Sequence, residues 1–247
     1  MKWFPKIIYS VGIRCTTEIA ISQAQLKKFS SLLGSANMKI PSNINSMLLS
    51  NFNHFFNFKN HYYSRYNKDM KNLNSKYGHR TFIDNFDDPS NYHEASLPHH
   101  DLSQAEILGH FRRGIKRLEY IKMNKVEILF VYSVNEIEDR YRDAFNVRKI
   151  NELFCEFHNQ FNCSTIGLIS TINSNHATIA LSPPPPEISL KLYSEVNFSS
   201  GKYSLIYSGG IYTVEDQIKL IKSILLRLTC AGRLIDISEI DMRCSNF

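Results

Sequence analysis

Apolar residues fall along this chain in two rhythms. Residues 6–11 (Lys-Ile-Ile-Tyr-Ser-Val) form a short, β-branched apolar run, which predicts a buried strand. The run breaks at Gly12, and Thr16-Thr17-Glu18 then supplies capping chemistry for a helix reaching to about residue 28. Further on, Ile107, Phe111, Ile115, Leu118 and Ile121 recur every three or four positions and predict a long amphipathic helix capped by Ser103. Residues 126–133 (Val-Glu-Ile-Leu-Phe-Val-Tyr-Ser) are the strongest strand signal. A helix over 136–161 follows, with strands over 164–170, 177–181, 190–196 and 203–207. A last amphipathic helix over 213–230 carries Ile218, Ile221, Ile224, Leu225 and Leu228.

Helices that alternate with continuous apolar strands predict an α/β fold with a mainly parallel, Rossmann-like sheet, over a single domain spanning 1–247. The stretch 40–122 reads as a largely helical insertion, or lid, after the first strand–helix unit. Met47, Leu48, Phe52, Phe55 and Phe56 have helix-like spacing there, whereas 78–102 has the composition of a loop. Pro183–Pro186 reads as a stiff connector within the domain, and 233–247 as a C-terminal tail.

Composition narrows the class. With 43% hydrophobic and 12% aromatic residues, and only 10 Gly and 8 Pro, the chain is neither disordered nor low in complexity. No window of about 18 apolar residues occurs, so no transmembrane segment is expected. The opening Met-Lys-Trp-Phe-Pro-Lys-Ile-Ile-Tyr-Ser lacks both the apolar length and the cleavage site of a secretory signal, which predicts a cytoplasmic protein. The five cysteines (Cys15, Cys155, Cys163, Cys230, Cys244) form no Cys-x-x-Cys pair, so neither a metal site nor a disulfide framework is expected. All but Cys15 read as reduced, buried thiols.

The formal charge of +6 favours an anionic partner: nucleic acid, a polyanionic glycan or a phosphorylated cofactor. Charge alternates in blocks, basic over 59–80, acidic over 84–106 and basic again over 112–125, where Arg112, Arg113, Lys116 and Arg117 cluster. No nucleic-acid-binding signature accompanies them, so specific nucleic-acid recognition is not expected.

The chemistry concentrates in Tyr9-Ser10-Val11-Gly12-Ile13-Arg14-Cys15-Thr16-Thr17-Glu18. Cys15 follows a buried strand and a glycine at the mouth of a helix, and in an open α/β sheet ligands bind at the carboxyl ends of strands. Helix N–H groups there favour thiolate over thiol, Arg14 adds positive charge, and backbone N–H groups near Gly12 and Thr16 suit an oxyanion. A thiol nucleophile needs a base. Of nine histidines only His99 and His100 cluster, in a loop ahead of the long helix, with Asp101 placed to orient one ring. Ser208-Gly209-Gly210, after a strand, is a lesser nucleophile candidate because the Gly-x-Ser-x-Gly elbow is absent.

Ser10-Val11-Gly12-Ile13-Arg14-Cys15 resembles the opening of a bacterial family described as papain-like cysteine peptidases, which usually reads Ser-Leu-Gly-Ser-x-Cys. His99-His100-Asp101, the basic run from Arg112 to Leu118, and Val126 to Val131 resemble its later blocks. Residues 34–40 (Gly-Ser-Ala-Asn-Met-Lys-Ile) depart from the family's Phe-Asp-Trp block. The layout is also similar to capsule-biosynthesis proteins of WcbI type and to polysaccharide O-acetyltransferases. That resemblance implies transfer of an acetyl group from acetyl-coenzyme A, as co-substrate, to a hydroxyl of a surface polysaccharide through a Cys/His site. Cys15, His99, His100 and Asp101 would be catalytic, and Arg14, Arg112, Arg113 and Lys116 would hold the coenzyme's phosphates or an anionic acceptor. A thiol hydrolase and a non-catalytic component of a glycan-assembly complex are the other readings.

Overall fold

The computed structural model describes residues 6–12, 16–35, 37–38, 41–50, 52, 61–63, 75–79, 95–98, 104–134, 147–172, 191–197, 202–211 and 214–231. They form a mixed α/β structure around a mostly parallel five-stranded sheet. Its strands are β1 (Ile7–Gly12), β6 (Ile128–Val134), β7 (Cys163–Ile172), β8 (Lys191–Asn197) and β9 (Tyr203–Ile211), ordered β1-β6-β7-β9-β8. All neighbours pair in parallel except β8, which runs antiparallel to β9 at the far edge.

Helices cover both faces, which is why these strands read as nearly continuous apolar runs. On one face α4 (Ala105–Met123) and α5 (Val147–Gln160) pack against Tyr9, Val11, Ile128, Phe130 and Tyr132. On the other, α1 (Thr16–Gln23) and α6 (Val214–Ala231) pack against Ile8, Leu129, Val131, Ile166, Leu168 and Leu205. The alternation of side chains along each strand sorts residues between the two cores. The Phe130 ring lies stacked on Phe157 at 4.2 Å between centroids. Gly167 leaves β7 bare where the Phe154 ring lies, since a Cβ there would meet that ring at 3.1 Å.

The first helix stops earlier than its sequence pattern suggests. Gln25 adopts φ 59°, its N–H bonds the Ser22 carbonyl, and the Leu26 N–H bonds the Ile21 carbonyl. That pair of bonds is a Schellman terminator with glutamine where glycine is usual. The long helix starts at Ala105, with Gln104 as its N-cap and no side-chain cap bond, so the expected Ser103 cap is displaced by one residue. Lys125, at φ 48°, ends it in the same way as Gln25, with the Val126 N–H on the Ile121 carbonyl.

Within the stretch 40–122, expected to be a largely helical insertion, the described residues are mainly helical but include short strands, and most of 51–103 lies outside them. The stretch contains α3 (Pro41–Leu49) and α4, but also β3 (His61–Tyr63), β4 (Ser75–His79) and β5 (Ala95–Pro98). With β2 (Asn37–Met38) these form a second, antiparallel sheet ordered β2-β5-β4-β3, while α2 (Leu32–Ser35) lies beside β1. The expected strand over 177–181, the tetraproline and the 233–247 tail lie outside the described residues. Cys163 is buried as expected, but Cys155 is exposed on α5. No described helix is long and apolar enough to cross a membrane.

Candidate functional site at the carboxyl edge of the first strands

Gly12, the last residue of β1, pairs with Ser133 of β6, and α1 opens four positions later at Thr16. The site therefore has the strand-end and helix-start frame that the sequence indicates. The residues between them, including Arg14 and Cys15, lie outside the described residues, as do His99, His100 and Asp101.

The frame itself is dense in buried hydroxyls. Thr16 and Thr17 are both buried at the first turn of α1, and Thr17 Oγ1 shares a hydrogen bond of 2.5 Å with Ser133 Oγ. That bond ties the helix start to the carboxyl end of β6. Ser10, only 1% exposed, carries a hydroxyl with no hydrogen-bond partner among the described residues. A buried hydroxyl in that state costs about 1–3 kcal/mol, so its presence two positions before Gly12 marks an unspent polar group near the site.

Ser10 faces α2. A Cβ on Gly34 would fall 2.7 Å from Ser10 Oγ and 2.3 Å from Ser31 Oγ, so only glycine fits there. Ser31 is fixed in turn: its hydroxyl and its backbone N–H both donate to the Glu18 carboxylate, at 2.9 and 3.3 Å. Lys27 reaches the same carboxylate at 3.0 Å. At the start of α2 the Leu32 N–H donates to the Tyr9 hydroxyl at 2.8 Å, and burial raises the Tyr9 phenol far above its ordinary range. It remains a neutral hydroxyl at any physiological pH. The whole junction of β1, α1 and α2 is thus held by fixed polar contacts.

The other expected site residues are only partly brought together. Helix α4 enters β6 through the short link 124–127, so it runs antiparallel to the sheet strands and its first turn lies at their carboxyl edge. Arg112, Arg113 and Lys116 are exposed on the outer side of α4, opposite the face that buries Phe111, Ile115 and Leu118. Gly12 and Thr16 belong to the β1–α1 frame; the three cations do not. Ser208-Gly209-Gly210 lies within β9, paired with Ile169, Ser170 and Thr171, and no turn of a nucleophile elbow occurs there.

The sequence alone does not mark Thr17, Ser133, Ser10 or Ser31 as site residues. The only signal for two of them is an isolated serine near the end of an apolar strand, Ser10 in β1 and Ser133 in β6. Among the described residues no group of three or more His, Cys, Asp or Glu side chains could hold a metal ion. No protein-family model, curated protein or solved structure matches this chain.

Proposed function

We propose that this chain is a cytoplasmic acyltransferase that moves an acetyl group from acetyl-coenzyme A to a hydroxyl of a bacterial surface polysaccharide. One observation carries the reading. Gly12 ends a parallel strand and Thr16 opens a helix at the carboxyl edge of the sheet, with Cys15 between them in the chain. This is the strand-to-helix frame in which helix N–H groups stabilise both a thiolate and an oxyanion. The Rossmann-like character of the sheet and a lid role for 40–122 belong to the same reading. So does the likeness to papain-like and WcbI-type proteins noted on the sequence.

In the first half-reaction the Cys15 thiolate attacks the carbonyl carbon of the thioester. The new S–C bond forms as the bond to the coenzyme's sulfur breaks, and the coenzyme leaves as a thiol with the proton that His99 or His100 had taken from Cys15. In the second, the same imidazole takes the acceptor's hydroxyl proton, the sugar oxygen attacks the acetyl carbon, and the Cys15 thiolate departs. Asp101 orients the ring. The oxyanion of each step rests on N–H groups near Gly12 and Thr16. Arg14 answers the phosphates of the coenzyme, while Arg112, Arg113 and Lys116, outside the β1–α1 frame on the outer face of α4, favour an anionic acceptor by their charge.

Thermal unfolding with and without coenzyme A tests the reading, since a ligand that binds the native state raises its stability. The expected result is a clear upward shift at a concentration about a hundredfold above the dissociation constant, where linkage gives roughly 2.7 kcal/mol. No shift at millimolar coenzyme would contradict the transfer reaction and leave a thiol hydrolase. Cys15 should also react with iodoacetamide faster than Cys155, the exposed cysteine of α5.

A further inference from the structure

Helix α4 buries Phe111, Gly114, Ile115, Leu118 and Ile121 against the sheet. At about 100° per residue, the opposite face, about 100° wide, carries Arg112, Arg113, Lys116, Tyr120 and Met123, all of them exposed. Tyr120 is 64% and Met123 81% exposed, the two most exposed large hydrophobic side chains among the described residues. They stand at i, i+3 to one another, with Tyr120 one turn and Met123 two turns beyond Lys116, so cations and apolar tips form one continuous stripe. Glu119 lies at its flank. We propose that this outer face of α4 is a docking surface for an anionic lipid bilayer.

The stripe runs about 17 Å from Arg112 to Met123 at roughly 1.5 Å per residue, away from the carboxyl edge and toward the amino edge of the sheet. A coenzyme held at the carboxyl edge would leave its far end unused, whereas a flat surface touches its whole length. The face is convex, which suits a plane better than a small molecule seeking a cleft. Composition then selects the plane. Arg112, Arg113 and Lys116 match lipid phosphates, a tyrosine ring prefers the headgroup level, and the Met123 thioether chain gains from reaching hydrocarbon. A nucleic acid would use the three cations but would give the methionine tip nothing to bury in. The formal charge of +6 strengthens attraction at long range. The inference goes beyond acyl transfer and does not depend on it.

Flotation of the full chain with phosphatidylcholine vesicles, with and without phosphatidylglycerol, tests the proposal. The chain floats with the anionic vesicles at low salt, is released at high salt, and ignores the neutral ones. Each surface cation contributes about 1 kcal/mol, so the combined Arg112→Gln, Arg113→Gln and Lys116→Gln variant loses affinity on the order of a hundredfold. Tyr120→Ser with Met123→Ser weakens binding severalfold and leaves its salt dependence unchanged. All five positions are exposed, and thermal melts matching wild type show that the variants fold. Cys15→Ala floats like wild type, so a failure of acyl transfer and a failure of docking are read separately. No flotation, or equal flotation with neutral vesicles, overturns the proposal. So does tighter, salt-sensitive binding of polyuridylate that needs the three cations but neither Tyr120 nor Met123, which would make the face a nucleic-acid surface.

Discussion

Ser10, Ser31 and Gly34 show how tightly one corner of the molecule is built. A methyl group on Gly34 would come 2.3 Å from Ser31 Oγ and 2.7 Å from Ser10 Oγ, and Ser31 cannot yield without losing its bonds to Glu18. Gly34→Ala is therefore expected to cost about 1–3 kcal/mol in urea unfolding, and an unchanged midpoint would contradict the geometry. Ser10→Ala should act in the other direction. It removes a buried hydroxyl that lacks a partner among the described residues, and stability is expected to hold or rise by up to about 1 kcal/mol. A clear loss would mean that the Ser10 hydroxyl is bonded in solution. Tyr9→Phe strands the buried Leu32 N–H and should lower stability by about 1–2 kcal/mol in the same assay.

At the scale of elements, two helices end on a left-handed residue that is not glycine. Gln25 closes α1 and Lys125 closes α4, each with the paired carbonyl bonds of a Schellman turn. Lys125→Gly relieves the backbone cost of that conformation, and a gain of up to about 1 kcal/mol in chemical unfolding is expected. Lys125→Val, β-branched at the same angles, should lose stability; equal stability of the two variants would contradict this account of the turn.

The same terminators explain where the sequence misled. Nothing at position 25 signals a stop, so the pattern carries the first helix to about residue 28, past its end at Gln23. The strands of the second sheet are only two to five residues long, too short to display a period of two. Helix α3 in the same stretch was legible from Met47 and Leu48. Ser208-Gly209-Gly210 reads as lying beyond the strand over 203–207, yet β9 continues through it because β7 offers a full ladder opposite. The strand-end and helix-start frame around Cys15 could be read locally. The bond between Thr17 and Ser133 could not, because it joins positions 116 apart that only the folded sheet brings together.

Across the whole molecule, polar groups gather at both ends of the sheet, with different consequences. At the amino edge Lys202, only 7% exposed, reaches Glu127 at 3.4 Å from the residue preceding β9 to the residue preceding β6. Burial pushes the Cys163 thiol up to about 12, against the pull of Lys202, so this cysteine stays a thiol and is no nucleophile. His158 lies 3.5 Å from Thr165 Oγ1, and burial, with Lys202 second, lowers its imidazole to about 4. The unfolded chain, with an ordinary histidine near 6.5, then binds more protons than the folded one between those values. His158 thus supports the fold fully above about 6.5, and that support is lost as pH falls toward about 4. Stability measured against pH should fall less steeply through this window in His158→Gln. Parallel curves for the two proteins would show that His158 does not carry the effect.

The carboxyl edge holds the chemistry proposed for the molecule, and its test is a mass. Wild type and Cys15→Ala are each incubated with acetyl-coenzyme A in the absence of acceptor and weighed intact. The account predicts one added acetyl group on wild type and none on Cys15→Ala. An unmodified wild-type chain, or an adduct that survives the substitution, would contradict it.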